Sequence, residues 1–121
     1  MFLYREAGSV EERRGAVLPP GRASGWAVPE GIRERWNLFL GNSYYELPKI
    51  FKKVGEVDIF IHDSGHSYET MMFEFGIAWY HLNEEGFLLA DNTNMNTAFK
   101  DFTRAKERKL YWINKLALLM R

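Results

Sequence analysis

Two short polar stretches carry most of the chemistry this sequence offers: His62-Asp63-Ser64-Gly65-His66 and Asp91-Asn92-Thr93-Asn94. Each follows an apolar run, VDIFI at 57–61 and GFLLA at 86–90. The carboxylates of Asp63 and Asp91 and the amide of Asn92 are hard oxygen ligands, suited to Mg²⁺ or Ca²⁺ rather than zinc. His66, three residues beyond Asp63, brings an imidazole, the side chain that takes up and releases protons near neutrality. Each of these residues also has a plain structural use. Asp63 and Ser67 can cap a following helix, Asp91-Asn92 can form an Asx turn, and His62, His66 and His81 can be loop or packing histidines. Asp63, His66 and Asp91 together point to a site, because both stretches would leave the same edge of a sheet.

That edge exists only if the flanking segments alternate between strand and helix. The run VDIFI, β-branched and almost continuously apolar, predicts a strand covered on both faces. Ser67 is a suitable N-cap, and the spacing of Met71, Phe75, Ala78 and Leu82 predicts a buried helix over 68–82, within which Gly76 would permit close approach to a sheet. NEEG at 83–86 reads as a turn, GFLLA as a second buried strand, 91–96 as a polar loop and 97–108 as a helix. LYWI and LALLM, separated by Asn114-Lys115, predict a terminal hairpin. Upstream, WNLFL at 36–40 reads as a strand ended by Gly41-Asn42-Ser43. Ser43 and Glu46 have capping-box spacing, but Pro48 favours a turn at 43–46 and a helix from 48 to 54, closed by Gly55. Residues 5–31, broken by five glycines and three prolines, read as loop. The order implies an irregular segment over 1–35 and an α/β domain over 36–121, with a parallel sheet, right-handed crossovers and an antiparallel C-terminal hairpin. In such sheets ligands bind beyond the carboxyl ends of the strands, where neighbours lie about 4.8 Å apart.

Composition narrows the alternatives. The chain has 121 residues, 46% of them apolar, with 4 Trp, 6 Tyr and 9 Phe, which is enough for the core of one domain. Sixteen basic and sixteen acidic groups cancel, so bulk charge would not hold a nucleic acid. The cancellation hides a gradient: residues 36–100 carry a net charge of −5 and residues 101–121 a net charge of +4. The absence of cysteine excludes disulfides, thiolate catalysis and zinc fingers. Apolar runs near five residues are far short of a membrane span, and Arg5 and Glu6 interrupt any leader. A soluble cytoplasmic protein is the expectation.

The stretch VDIFIHDSGHSYETMMFEFGIAWYHLNEEGFLLADNTNMNTAF resembles the class I S-adenosylmethionine-dependent methyltransferases, and within them the small-molecule O-methyltransferase-like group. That group has a strand ending D-x-x-H-x-Y, a helix, L-x-x-G-G, and a strand ending D-D or D-N. RWNLFLGNSYYELPKIF is similar to its third strand and following turn, so the resemblance covers about 33–113. It implies that Asp63 faces the methyl-transfer site and that His66 is the base. It implies that Gly41, Asn42 and Ser43 approach the adenine, with His62 among the cofactor-binding residues. It also implies that Asp91 and Asn92, with Asp63, help hold a divalent metal such as Mg²⁺. Glu85-Gly86 departs slightly from the usual glycine pair.

A larger departure lies upstream, where the family has a strand ending in a Gly-rich cofactor loop, a helix, and a second strand ending in an acid for the ribose. Glu6-Ala7-Gly8-Ser9 is the nearest equivalent and lacks the glycine spacing. The fold implied is therefore an incomplete Rossmann-like, mostly parallel, doubly wound sheet. Without the first two family strands, the segments 36–40 and 57–61 would leave unpaired edges and apolar faces, so a homodimer or another covering chain is expected. The function implied is O-methyl transfer to a small molecule. The alternatives are a truncated, non-catalytic relative serving as an interaction module or gene remnant, and a metal-binding α/β domain with hydrolytic chemistry.

Overall fold

The computed structural model describes residues 2–5 and 19–121. The chain divides into two compact units, 1–43 and 44–121. In the first, β1 (Phe2–Arg5) and β2 (Asn37–Leu40) pair in parallel, with Phe2 opposite Asn37 and Arg5 opposite Leu40. A strand ending at Arg5 corrects the expectation of loop from residue 5; residues 6–18 of that stretch, including the Glu6–Ser9 segment, lie outside the described residues. A 3-10 turn at Glu30–Arg35 leads into β2. Gly25 has φ +83°, and a Cβ there would lie 1.9 Å from the Trp36 ring, so this position requires glycine twice over.

The second unit is built from all but the first residue of α1 (Ser43–Val54), with β3 (Val57–His62), α2 (Tyr68–His81), β4 (Leu82–Ala90), α3 (Ala98–Ala105), β5 (Leu110–Ile113) and β6 (Leu116–Met120). Its four-stranded sheet has the order β3-β4-β6-β5. β3 and β4 are parallel, whereas β6 runs antiparallel to both β4 and β5. This is a mixed α/β architecture consistent with an incomplete Rossmann-like domain that ends in the expected hairpin. Only one of this sheet's three pairings is parallel, because β2 pairs with β1 and not with β3. Among the described residues, no helix is long and apolar enough to cross a membrane.

Phe75, at the middle of α2, anchors the core. It meets His62, Phe99 and Phe102 edge-on or tilted at 5.2–5.6 Å, and Met71, Leu88 and Leu119 are fully buried in the same cluster. α1 adds Leu47 and Phe51. His81 lies flat on Phe51 at 4.5 Å and also contacts the Gly55 carbonyl through Nδ1.

Three local expectations change. α1 starts at Ser43, not after a turn, and carries Pro48 inside it. Packing of Leu47, Ile50 and Phe51 outweighs the one helical hydrogen bond that proline cannot donate. Residues 83–86 are strand, because β4 begins directly where α2 ends. Gly76 meets nothing within 4 Å of a Cβ position; the close approach is at Gly86, where a Cβ would lie 3.0 Å from the Asn83 carbonyl and 3.1 Å from that of Asp58.

Candidate active site

The parallel register brings the two polar stretches together. His62 is opposite Ala90 at the end of the β3–β4 pair, and the Asp91 N–H donates to the His62 carbonyl at 3.0 Å. Asp63 and Asp91 are thus the first residues beyond two neighbouring strands. Asp63 is exposed and Asp91 half-buried. Ser67 caps α2, its Oγ accepting from Thr70 N–H at 3.2 Å, and Asp63 makes no hydrogen bond among the described residues. The helix cap therefore does not consume the Asp63 carboxylate.

The loop after β4 is held on three sides. Asn92 adopts φ +51°, a left-handed conformation asparagine tolerates, and its Nδ2 donates to Asp91 Oδ2 at 3.0 Å. Thr93 is buried and donates from both N–H and Oγ1 to the Lys115 carbonyl, at 3.1 and 3.0 Å. Asn96 Nδ2 donates to the His66 carbonyl at 2.8 Å while its Oδ1 accepts from Ala98 N–H at 2.8 Å. One asparagine therefore ties the two site loops together and caps α3.

Beneath the loops is a polar cluster that sequence reasoning missed. His62 and Glu74 are buried, at 0% and 2% side-chain exposure, with Nδ1 2.7 Å from Oε2. A carboxylate only accepts, so Nδ1 carries the proton. Ser64 donates to the other Glu74 oxygen at 2.7 Å. Glu74 thus grips the residues on either side of Asp63. The available signal was an acid amid the apolar positions Met71, Phe75 and Ala78. His66 stands edge-on to His62 at 5.3 Å, and the Nε2 atoms of both rings are enclosed and unpartnered.

The expected cofactor residues have different surroundings. The His62 imidazole is wholly enclosed, so what it presents at the strand end is backbone. Gly41 and Asn42 form the turn after β2, followed by Ser43, whose buried Oγ has no hydrogen-bond partner. An orphaned hydroxyl at a strand's carboxyl end fits a polar ligand such as a nucleoside. For a cation the fit is poorer. Among the described residues, no three His, Cys, Asp or Glu side chains converge as metal ligands, and the bond from Asn92 Nδ2 occupies Oδ2 of Asp91 while leaving the Asn92 carbonyl oxygen uninvolved.

A family model described as a methyltransferase domain matches residues 5–93, spanning β2, the first site loop, the start of the second and the strands that carry them. No curated protein matches the chain. With β3 and β4 delivering Asp63 and Asp91 to one edge, and the match covering most of the sequence, the chain belongs to the methyltransferase-domain family and is a class I S-adenosylmethionine-dependent methyltransferase-like domain.

Proposed function

We propose that this protein transfers a methyl group to the hydroxyl of a small molecule held at the Asp63–Asp91 edge. The observation that supports this reading most directly is the His62–Asp91 backbone bond, which sets an uncommitted carboxylate beside a second one at adjacent strand ends. S-adenosylmethionine, when bound, supplies an electrophilic methyl on a sulfonium sulfur. Gly41, Asn42 and Ser43 are the residues that would hold its adenosine part. Asp63 accepts a hydrogen bond from the substrate hydroxyl and aligns it. His66, half-buried and with an unpartnered Nε2, would take the hydroxyl proton as the oxygen–methyl bond forms and the sulfur–methyl bond breaks, the demethylated thioether being the leaving group. Asp91, oriented by Asn92, walls the opposite side. Positioning of this kind supplies much of the rate in a one-step displacement.

Calorimetric titration of the full chain with S-adenosylmethionine, with its demethylated product, and with each plus Mg²⁺ tests cofactor binding. Radiolabelled methyl transfer to a panel of phenols and alcohols tests the chemistry. Micromolar binding, with turnover lost in Asp63→Ala, is the expected result. No heat at millimolar ligand would leave the non-catalytic interaction module as the reading. Binding with methylation of amines alone would keep the family and overturn the hydroxyl assignment.

A further inference from the structure

Glu74 occupies a position where a hydrocarbon side chain would serve the core as well or better. The buried stripe of α2 runs through Thr70, Met71, Glu74, Phe75 and Ala78, and Met71, Phe75 and Ala78 belong to the apolar core. Withdrawing a carboxylate from water is costly, and a buried pair of this kind can be exchanged for packed apolar side chains with little or no loss of stability. The bonds that Glu74 accepts from His62 and Ser64, both at 2.7 Å, therefore give no advantage over a hydrocarbon pair in holding the fold together. What they do supply is position, at the loop that carries Asp63.

We infer that Glu74 is a positioning residue for methyl transfer, acting through His62 and Ser64 to fix Asp63; the inference rests on the proposed reading of the Asp63–Asp91 edge. Asp63 is exposed and makes no hydrogen bond among the described residues, so its direction is set by its own backbone. That backbone lies between two residues bound to separate oxygens of one carboxylate: His62 donates from Nδ1 to Oε2, and Ser64 from Oγ to Oε1. Among the described residues, Glu74 is the one side chain that bonds to both neighbours of Asp63. It lies about two turns beyond the Ser67 cap, next to Phe75, which packs on Phe99 and Phe102 of α3. The loop is thus referred to the core and not to the frayed start of a helix. The other ties act elsewhere, Asp91 N–H on the His62 carbonyl and Asn96 Nδ2 on the His66 carbonyl. By holding the His62 ring, Glu74 also sets the surface against which the His66 ring stands, 5.3 Å away and edge-on. A displacement of about 1 Å in a reacting arrangement can cost a hundredfold in rate.

Methyl-transfer kinetics and backbone amide relaxation on the full chain test the inference. Glu74→Met combined with His62→Leu replaces the pair by apolar side chains of similar size. This double variant is expected to keep its fold and thermal midpoint while kcat falls about tenfold to a hundredfold at an unchanged KM for S-adenosylmethionine. Ser64→Ala removes one tie and leaves the core intact; a fall in kcat of about threefold to tenfold is expected. In the cofactor-free chain the same variant is expected to lower the amide order parameters of residues 63 and 64 but not of residue 66, which Asn96 holds. Glu74→Gln, whose amide oxygen can accept from His62 and whose amide nitrogen can donate to the Ser64 hydroxyl, is expected to retain most of the turnover. A folded double variant with wild-type kcat would overturn the inference, as would Ser64→Ala with unchanged kcat or unchanged order at Asp63. Should the double variant not fold, Ser64→Ala decides alone. A raised KM with kcat unchanged would assign the pair to uniform binding and overturn the positioning role as well. Absence of methyl transfer from the wild-type chain would overturn the reading of the site and this role with it; transfer present and indifferent to these variants would overturn the role alone.

Discussion

Nδ1 of His62 lies 2.7 Å from Oε2 of Glu74, and neither side chain reaches solvent. Together with the Ser64 bond to Oε1, this pairing clamps the backbone on both sides of Asp63 from below. Removing the Glu74 carboxylate leaves the His62 ring nitrogen and the Ser64 hydroxyl without their partner, at a cost of about 1–3 kcal/mol for each such group left unsatisfied in the interior. Glu74→Ala is therefore expected to lower unfolding stability by about 3 kcal/mol in urea titrations and to speed amide exchange at residues 62–66. Glu74→Gln, which keeps one acceptor, should fall between. Stability within about 0.5 kcal/mol of wild type for Glu74→Ala would show that the clamp contributes nothing.

Asp63 has the opposite character, being exposed and without a hydrogen bond among the described residues. Asp63→Asn and Asp63→Ala should leave the melting temperature within about a degree or two, since surface changes of this kind stay within roughly 0.5 kcal/mol. Methyl transfer should fall by about a hundredfold or more, the scale of a positioned acid–base or orienting group. Stability lost in parallel with activity would assign Asp63 to the scaffold.

Phe75 joins His62, Phe99 and Phe102 in one aromatic cluster at the centre of the core. Phe75→Ala should cost about 3–5 kcal/mol and lower the thermal midpoint steeply, whereas Phe75→Leu should cost less than half of that. Equal losses for the two would mean that ring geometry, and not filled volume, sets the stability here.

Pro48 sits within α1 and is exposed. Its ring removes one backbone bond and disfavours the preceding turn. Pro48→Ala is expected to raise stability by about 1 kcal/mol or more, after allowing for the looser unfolded chain. A lower midpoint in denaturant would indicate that the proline is matched to a bend that α1 requires.

Much of the second unit was legible from local pattern. β3, α2 and the closing hairpin follow from apolar runs and stripes bounded by Gly55, Ser67 and Asn114-Lys115, where local preference and packing agree. The adjacency of Asp63 and Asp91 followed from a general property of parallel strands. What local pattern did not reveal depended on partners distant in sequence. β1 is four residues long and exists by pairing with β2, more than thirty residues away. The polar run Asn83-Glu84-Glu85 has turn composition, yet it continues as strand beside β3, with the Asn83 amide donating to Asp58. Glu74 is invisible to hydrophobic periodicity because its burial is offset by two partners from the β3 loop. The enclosure of His62 likewise follows from strand parity at β3, which turns alternate side chains towards α2.

The junction of α2 and β4 has no spare residue: His81 ends the helix and Leu82 begins the strand. The β3–β4 register shifts between the Val57–Leu82 and Ile59–Phe87 pairs, so β4 has an irregular stretch directly after the join. An inserted or deleted amino acid that this stretch did not absorb would either rotate the helix by about 100° or shift the strand by one place, inverting its two sides. Either outcome separates the Glu74 carboxylate from the β3 end or turns Leu88 and Ala90 away from the core. Length variation is therefore expected to be tolerated less at this join, and in the 91–96 loop that Thr93 and Asn96 anchor, than elsewhere on the surface of the unit.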